Sequence, residues 1–142
     1  SNSKNMAGGY NPEELSYLNG PCFDLSSLYK PMVEFDAGIV TKPKLDGLTL
    51  QYSVDDGIIW RPLGNIGSGI NWFNTLNIVS DPGEQLRFLD SISLYTPTKR
   101  PQPQIGWTGS PGGSNVQNIR QILDDAKSTN KVRIRFAFAS TE

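Results

Sequence analysis

The chain has 142 residues, enough to bury an apolar core as one domain without disulfide or metal staples. Its 13 basic and 14 acidic side chains leave a formal net charge of −1, a balance that gives no electrostatic footprint for nucleic acid or an anionic membrane surface. The absence of histidine removes the usual general base and the commonest transition-metal ligand, and Cys22, the single cysteine, argues against an internal disulfide or a thiolate zinc site.

Gly and Pro punctuate the chain so often that no helical run longer than about 14 residues fits between them, which predicts an all-β domain with long connections. No apolar stretch approaches the ~20 residues of a membrane-spanning helix, so membrane insertion is not expected. No signal peptide precedes Ser1, and the chain reads as a mature piece or an excised segment.

Residues 1–15 are polar and Gly/Asn-rich and form an irregular lead-in. Ser16 to Leu25 reads as one strand bent at Gly20-Pro21 or as two short strands, with Pro21 favouring an edge or a bulge and Cys22 read as a buried strand thiol. After a turn over Ser26 to Lys30, a second strand is expected from Pro31 to Ile39, carrying Met32, Val33, Phe35 and Ile39. Asp46 to Trp60 predicts a β-hairpin: Leu48, Leu50 and Tyr52 share one face, Ile58, Ile59 and Trp60 open the return run, and Asp55-Asp56-Gly57 makes the turn. Gly57 supplies the positive φ, and the Asp55 carboxylate can accept backbone N–H groups of the turn.

Pro62 to Asn77 is an aromatic loop in which Trp72 and Phe73 lie between Asn71 and Asn74 without strand alternation. The expectation is that one ring plugs the rim while the other faces solvent. After the Asp81-Pro82-Gly83 turn, Leu86 to Leu94 has strand character, and Tyr95 to Asn115 is a second loop holding Trp107. Loops this long inside a compact domain are uncommon unless they do something. Val116, Ile119, Ile122, Leu123 and Ala126 recur at helical spacing, whereas Lys131 to Ala139 is a plain alternating strand, with Val132, Ile134, Phe136 and Phe138 inward and Arg133 and Arg135 outward.

Ser53, Asp55, Gly57 and Trp60 spell S-x-D-x-G-x-x-W, which resembles the Asp-box, a fold-stabilising turn of sialidase propellers and of unrelated secreted β-proteins. More broadly the chain resembles a module recurrent in secreted and surface proteins of Bacteroidetes, related in architecture to MAM and other jelly-roll domains. The matching pieces are Asn11 to Leu25, Phe35 to Trp60, Gly69 to Asn74 (GINWFN), Gly106 to Gly109 (GWTG) and Val132 to Ala139. The resemblance implies a jelly-roll β-sandwich of two antiparallel sheets over residues 1–142, with long aromatic-containing loops. It also implies a strand over Arg120 to Leu123 leading into an Asp124-Asp125 turn, and that reading is preferred here to the helix.

Two departures stand out: Asn and Gln replace an aromatic residue before Ile119, and the family's extra first strand and final G-x-A-F-D-D-I strand are missing. The second departure implies an unpaired sheet edge, covered by edge pairing with a second copy, by a strand from another polypeptide, or by the segment over residues 95–115.

For function, the resemblance implies a non-catalytic binding or spacer module of a secreted or cell-surface protein, acting in adhesion to glycans or partner proteins. The alternative is an accessory folding domain attached to a secreted hydrolase. Trp72, Phe73 and Trp107, with Asn71 and Asn74, could stack on and hydrogen-bond a sugar ring, or could all be rim plugs. Glu34, Asp36 and Asp46 could supply oxygens to a structural Ca²⁺, with Asp46 the foremost ligand. A glycosidase pair among Asp36, Asp46, Asp55 and Asp56 is disfavoured because two of the four belong to a hairpin tip.

Overall fold

A computed structural model describes residues 11–86, 104–113, 115–126 and 129–142. It is an all-β structure of two antiparallel sheets packed face to face. The larger sheet contains β1 (Leu15–Phe23), β3 (Gly47–Ser53), β4 (Arg61–Pro62) and β6 (Val132–Ala139), in the order β1-β6-β3-β4. The smaller pairs β2 (Met32–Ala37) with β5 (Gln117–Ile122).

The alternating pattern of β6 sets the larger sheet. Phe136 stands between Leu18 and Leu50 in register, so these three side chains share the inner face, while Arg135 stands between Asn19 and Gln51 on the outer face. At Gly20-Pro21 the register of β1 shifts between Asn19 and Cys22, as an edge strand with a proline requires. Val33 and Phe35 alternate inward from β2, and Ile119 does so from β5.

Between the sheets lies an aromatic cluster. Trp107 is edge-on to Phe73 at 4.7 Å, to Trp72 at 5.0 Å and to Phe35 at 6.0 Å, and Phe35 is edge-on to Phe136 at 5.0 Å. Leu50, Leu63, Ile105, Ile119 and Val132 complete the core. Loop segments act as additional pseudo-strands: Trp107 bridges Leu48 beside β3, and Ile70 bridges Arg120 beside β5. Gly69 and Gly106 allow this approach, since a Cβ at either would stand 2.2 Å from the Arg120 carbonyl or 2.3 Å from that of Leu48.

The outer face of the larger sheet is covered by residues 78–86. Gln51 Nε2 donates to the Gly83 carbonyl (3.1 Å), Ser80 Oγ to that of Ala139 (3.0 Å) and the Tyr17 hydroxyl to Glu84 (2.8 Å). Burial of Tyr17, with the Glu84 hydrogen bond and charge behind it, pushes its phenol up to about 12. The Arg135 guanidinium carbon lies over the rings of both Tyr17 and Trp60, 4.2 Å from each centroid, and its Nε donates to Gln51 (2.8 Å).

Several expectations need correction. The return strand of the hairpin begins only at Arg61, after Trp60, because Ile58 and Ile59 are exposed turn residues. Cys22 is exposed: past the bulge it pairs with Arg133 and so takes that residue's outward side of an edge strand. By contrast, the strand preferred to the helix over Arg120 to Leu123 is present: Gln117–Ile122 pair with β2 along their whole length, and Asp124–Ala126 turn as a 3₁₀ helix. The strand expected over Leu86 to Leu94 lies outside the described residues apart from Leu86, as do residues 95–103 of the second loop.

Candidate functional site

The smaller sheet is narrower than the one it covers, and that mismatch makes the site. β2 lies over β6 and β3, where Phe35 meets Phe136 and Trp107. Nothing among the described residues roofs the inner face of β1. Leu18 therefore remains 62% exposed although it points to the same side as the buried Leu50. The result is an apolar groove of about 590 Å³, open on the β1 side and walled by Leu18, Phe35, Ala37, Leu48, Phe136 and Phe138.

Its polar margin is acidic. Glu14 is buried at one end and accepts the Ser16 hydroxyl and the Asn11 N–H (3.3 Å). Asp36 stands exposed on the rim and accepts Asn118 Nδ2 (3.0 Å). The arrangement suits apolar side chains entering between the sheets, with cationic or hydrogen-bonding groups at the margin.

The aromatic residues singled out in the sequence are brought together, but inside. Trp72 (4% exposed), Phe73 (1%) and Trp107 (0%) present no ring face to solvent, and both indole N–H groups are used internally, Trp72 on the Leu63 carbonyl (2.7 Å) and Trp107 on that of Asn71 (3.0 Å). Expecting one ring to face solvent was therefore wrong, and these rings give no stacking platform. The two Asn side chains tie loops together: Asn74 makes a reciprocal pair with the Thr108 backbone (3.0 Å each way), and Asn71 Nδ2 donates to the Asn118 carbonyl (2.9 Å).

The three proposed calcium ligands do not converge. Glu34 pairs with Arg120 at 2.5 Å, and Asp36 binds Asn118. Asp46 is fully buried, where its carboxylate accepts the backbone N–H (2.6 Å) and hydroxyl (2.9 Å) of Thr141 while its carbonyl accepts the Thr108 hydroxyl (2.7 Å). Among the described residues no three acidic or cysteine side chains are grouped as a metal site would require. The ligand set for calcium is corrected accordingly; Asp46 serves as a buried clamp on the last strand.

At the hairpin tip, the Ser53 hydroxyl donates to Asp55 (2.7 Å) and accepts the Gly57 N–H (2.8 Å), and the Ile59 N–H donates to Asp55 (2.9 Å). Gly57 has φ +88°, and Trp60 is buried beneath the tip. Partial burial works to raise the Asp55 carboxyl, but the hydrogen bonds from Ile59 and Ser53 outweigh it and hold the group below the ordinary range. Asp56 is occupied by Arg133 at 2.7 Å, so the hairpin acids form a turn and an ion pair.

Leu18, Phe136 and Phe138 were placed in strands by the sequence without any hint that they line an open groove. No local signal could have shown it, because the groove exists only where one sheet is narrower than the other. Comparison with known protein families, with curated proteins and with solved structures found no match for this chain.

Proposed function

We propose that the chain is a non-catalytic interaction and spacer module of a secreted or cell-surface bacterial protein, and that its partner is a protein. The observation that carries this reading is the open apolar groove between the sheets, faced by Leu18, Phe136 and Phe138. Apolar surface of this kind, rimmed by polar groups, is characteristic of protein interaction sites. Burial of the aromatic loop residues takes away the main support for glycan binding and moves the weight of the adhesion reading to partner proteins. The resemblance to Bacteroidetes jelly-roll modules supports the extracellular setting. The order β1-β6-β3 facing β2-β5, with residues 105–107 beside β3 and residue 70 beside β5, is compatible with a jelly roll.

The test is a binding screen of the chain against extracellular and surface proteins of a Bacteroidetes species and against a glycan array, with Leu18→Asp as control. Protein binding that falls at least tenfold in Leu18→Asp, at unchanged thermal stability, is the expected result. Glycan binding indifferent to Leu18→Asp, or sugar or ester hydrolysis abolished by Asp46→Asn, would overturn the reading. Absence of binding, together with collapse of a fused hydrolase on deletion of this chain, would replace it by the folding-accessory role.

A further inference from the structure

We infer that the groove is an acceptor for one extended strand of another polypeptide, which adds to the free edge of β2 with apolar residues facing inward and basic residues facing out. This rests on the interaction reading above and specifies the chemistry of the partner.

The backbone bonding of the smaller sheet identifies the edge. Arg120 of β5 exchanges both its backbone hydrogen bonds with Ile70 (2.9 and 3.1 Å), and the Leu123 N–H reaches the Pro31 carbonyl (2.8 Å). Glu34, which stands opposite Arg120, therefore turns its N–H and C=O away from β5, and the alternation of an antiparallel ladder extends the same orientation to Met32 and Asp36. None of these three has a backbone hydrogen bond on that outer side among the described residues. They form a ready ladder of donors and acceptors at every second residue.

A strand pairing there would lie about 4.8 Å from β2, on the side where the described residues leave the inner face of β1 uncovered. Its alternate side chains would point toward Leu18, Phe136 and Phe138, filling the groove and widening the smaller sheet from two strands to three. One addition would thus satisfy the edge and bury the apolar wall together.

Charge selects among occupants. The outward side chains of β2 beside the new strand are Met32, Glu34 and Asp36. A second copy approaching antiparallel by the same edge would set Glu34 opposite either its own counterpart or Asp36, an unfavourable juxtaposition of acids that the one Arg120 beside each Glu34 only partly offsets. Lys or Arg at the outward positions of the incoming strand would instead give opposite-charge cross-strand pairs. The chain's own β6, with Arg133 and Arg135 alternating with Val132, Ile134 and Phe136, shows that these sheets accept a basic–apolar alternation.

The test uses two capped peptides, Ac-KVKIKVK-NH₂ and Ac-EVEIEVE-NH₂, added to the isotopically labelled full chain, with amide exchange followed at Met32, Glu34 and Asp36. In the free chain these amides should exchange rapidly. The basic peptide should slow them at least tenfold and saturably, and the acidic peptide should not. The double variant Glu34→Lys/Asp36→Lys should reverse the preference, by roughly tenfold in affinity for two cross-strand pairs. Asp36→Pro, which removes an outward N–H and leaves the backbone bonds to β5 intact while losing the side-chain bond from Asn118, should abolish protection; if it does not fold, the charge reversal alone decides.

Amides already protected in a dilute monomer would mean that the chain covers its own edge, and protection rising with protein concentration would mean a second copy; either overturns the inference. Equal binding of both peptides overturns the charge assignment. Failure of both peptides, while Leu18→Asp still abolishes capture of a folded partner, would sink strand addition and leave the interaction module standing.

Discussion

Replacing Trp107 by Ala tests whether the loop aromatics are core or surface. The indole is fully buried against Phe73, Trp72 and Phe35, with centroids at 4.7, 5.0 and 6.0 Å. Truncating a buried Trp to Ala costs about 3–5 kcal/mol in lost transfer energy and cavity formation, and the edge-on pairs place this site toward the upper end. Loss of the indole N–H also leaves the part-buried carbonyl of Asn71 without that donor, which adds to the cost. The backbone of Trp107 stays paired with Leu48 in both directions (2.7 and 3.0 Å), so the loop should stay in place and the loss should appear as stability rather than topology. About 4 kcal/mol is a large share of the ~5–15 kcal/mol typical of a domain and corresponds to a fall in Tm of roughly 10–20 °C. Urea unfolding followed by near- and far-UV circular dichroism measures it. Trp107→Phe should lose ~1–2 kcal/mol, and Ile58→Ala, at an exposed turn position, less than about 0.5 kcal/mol. A Trp107→Ala variant within ~1 kcal/mol of the parent, with an unchanged near-UV spectrum, would refute the buried cluster and restore a surface platform.

Three further outcomes are expected. Tyr17, raised to about 12 by burial and by Glu84, has a folded value above the ~10 of an unfolded tyrosine. Its contribution is therefore complete below pH ~10 and disappears as pH rises through about 12. Tyr17→Phe should flatten the stability curve in that window and delete the step near pH 12 from the tyrosinate absorbance titration; an unaltered titration would contradict it. Arg135→Lys cannot reproduce a planar cation over two rings and should lower the urea midpoint by the equivalent of ~1–2 kcal/mol, whereas an unchanged midpoint would show the stack to be inert. Cys22 should react with a maleimide in the native protein at a rate that urea does not increase; labelling only on unfolding would return it to the core.

What the sequence determined by itself is local pattern. Strict alternation in Lys131 to Ala139 and in Leu48 to Tyr52 admits only registers that turn Leu50 and Ile134 to the same inner face, so these strands and their inward faces were legible. Pro21 and Gly20 marked the bulge, and Ser53, Asp55 and Gly57 marked the turn, because backbone φ and short-range hydrogen bonds depend on neighbouring residues alone. Tertiary structure decided the rest. Residues 116–126 have helical spacing, and the strand formed by 117–122 depends on the ladder that β2 offers from 80 to 90 positions away in the chain. Trp72, Phe73 and Trp107 come from two loops without alternation; only the space between two separately formed sheets makes them core rather than platform. Glu34 and Asp36 share the outward face of β2 while Asp46 is buried, and the distant partners Arg120, Asn118 and Thr141 take up one carboxylate each. The groove depends on nothing local at all: it is the difference in width between a four-stranded and a two-stranded sheet, a property of how strands pair rather than of any residue within them.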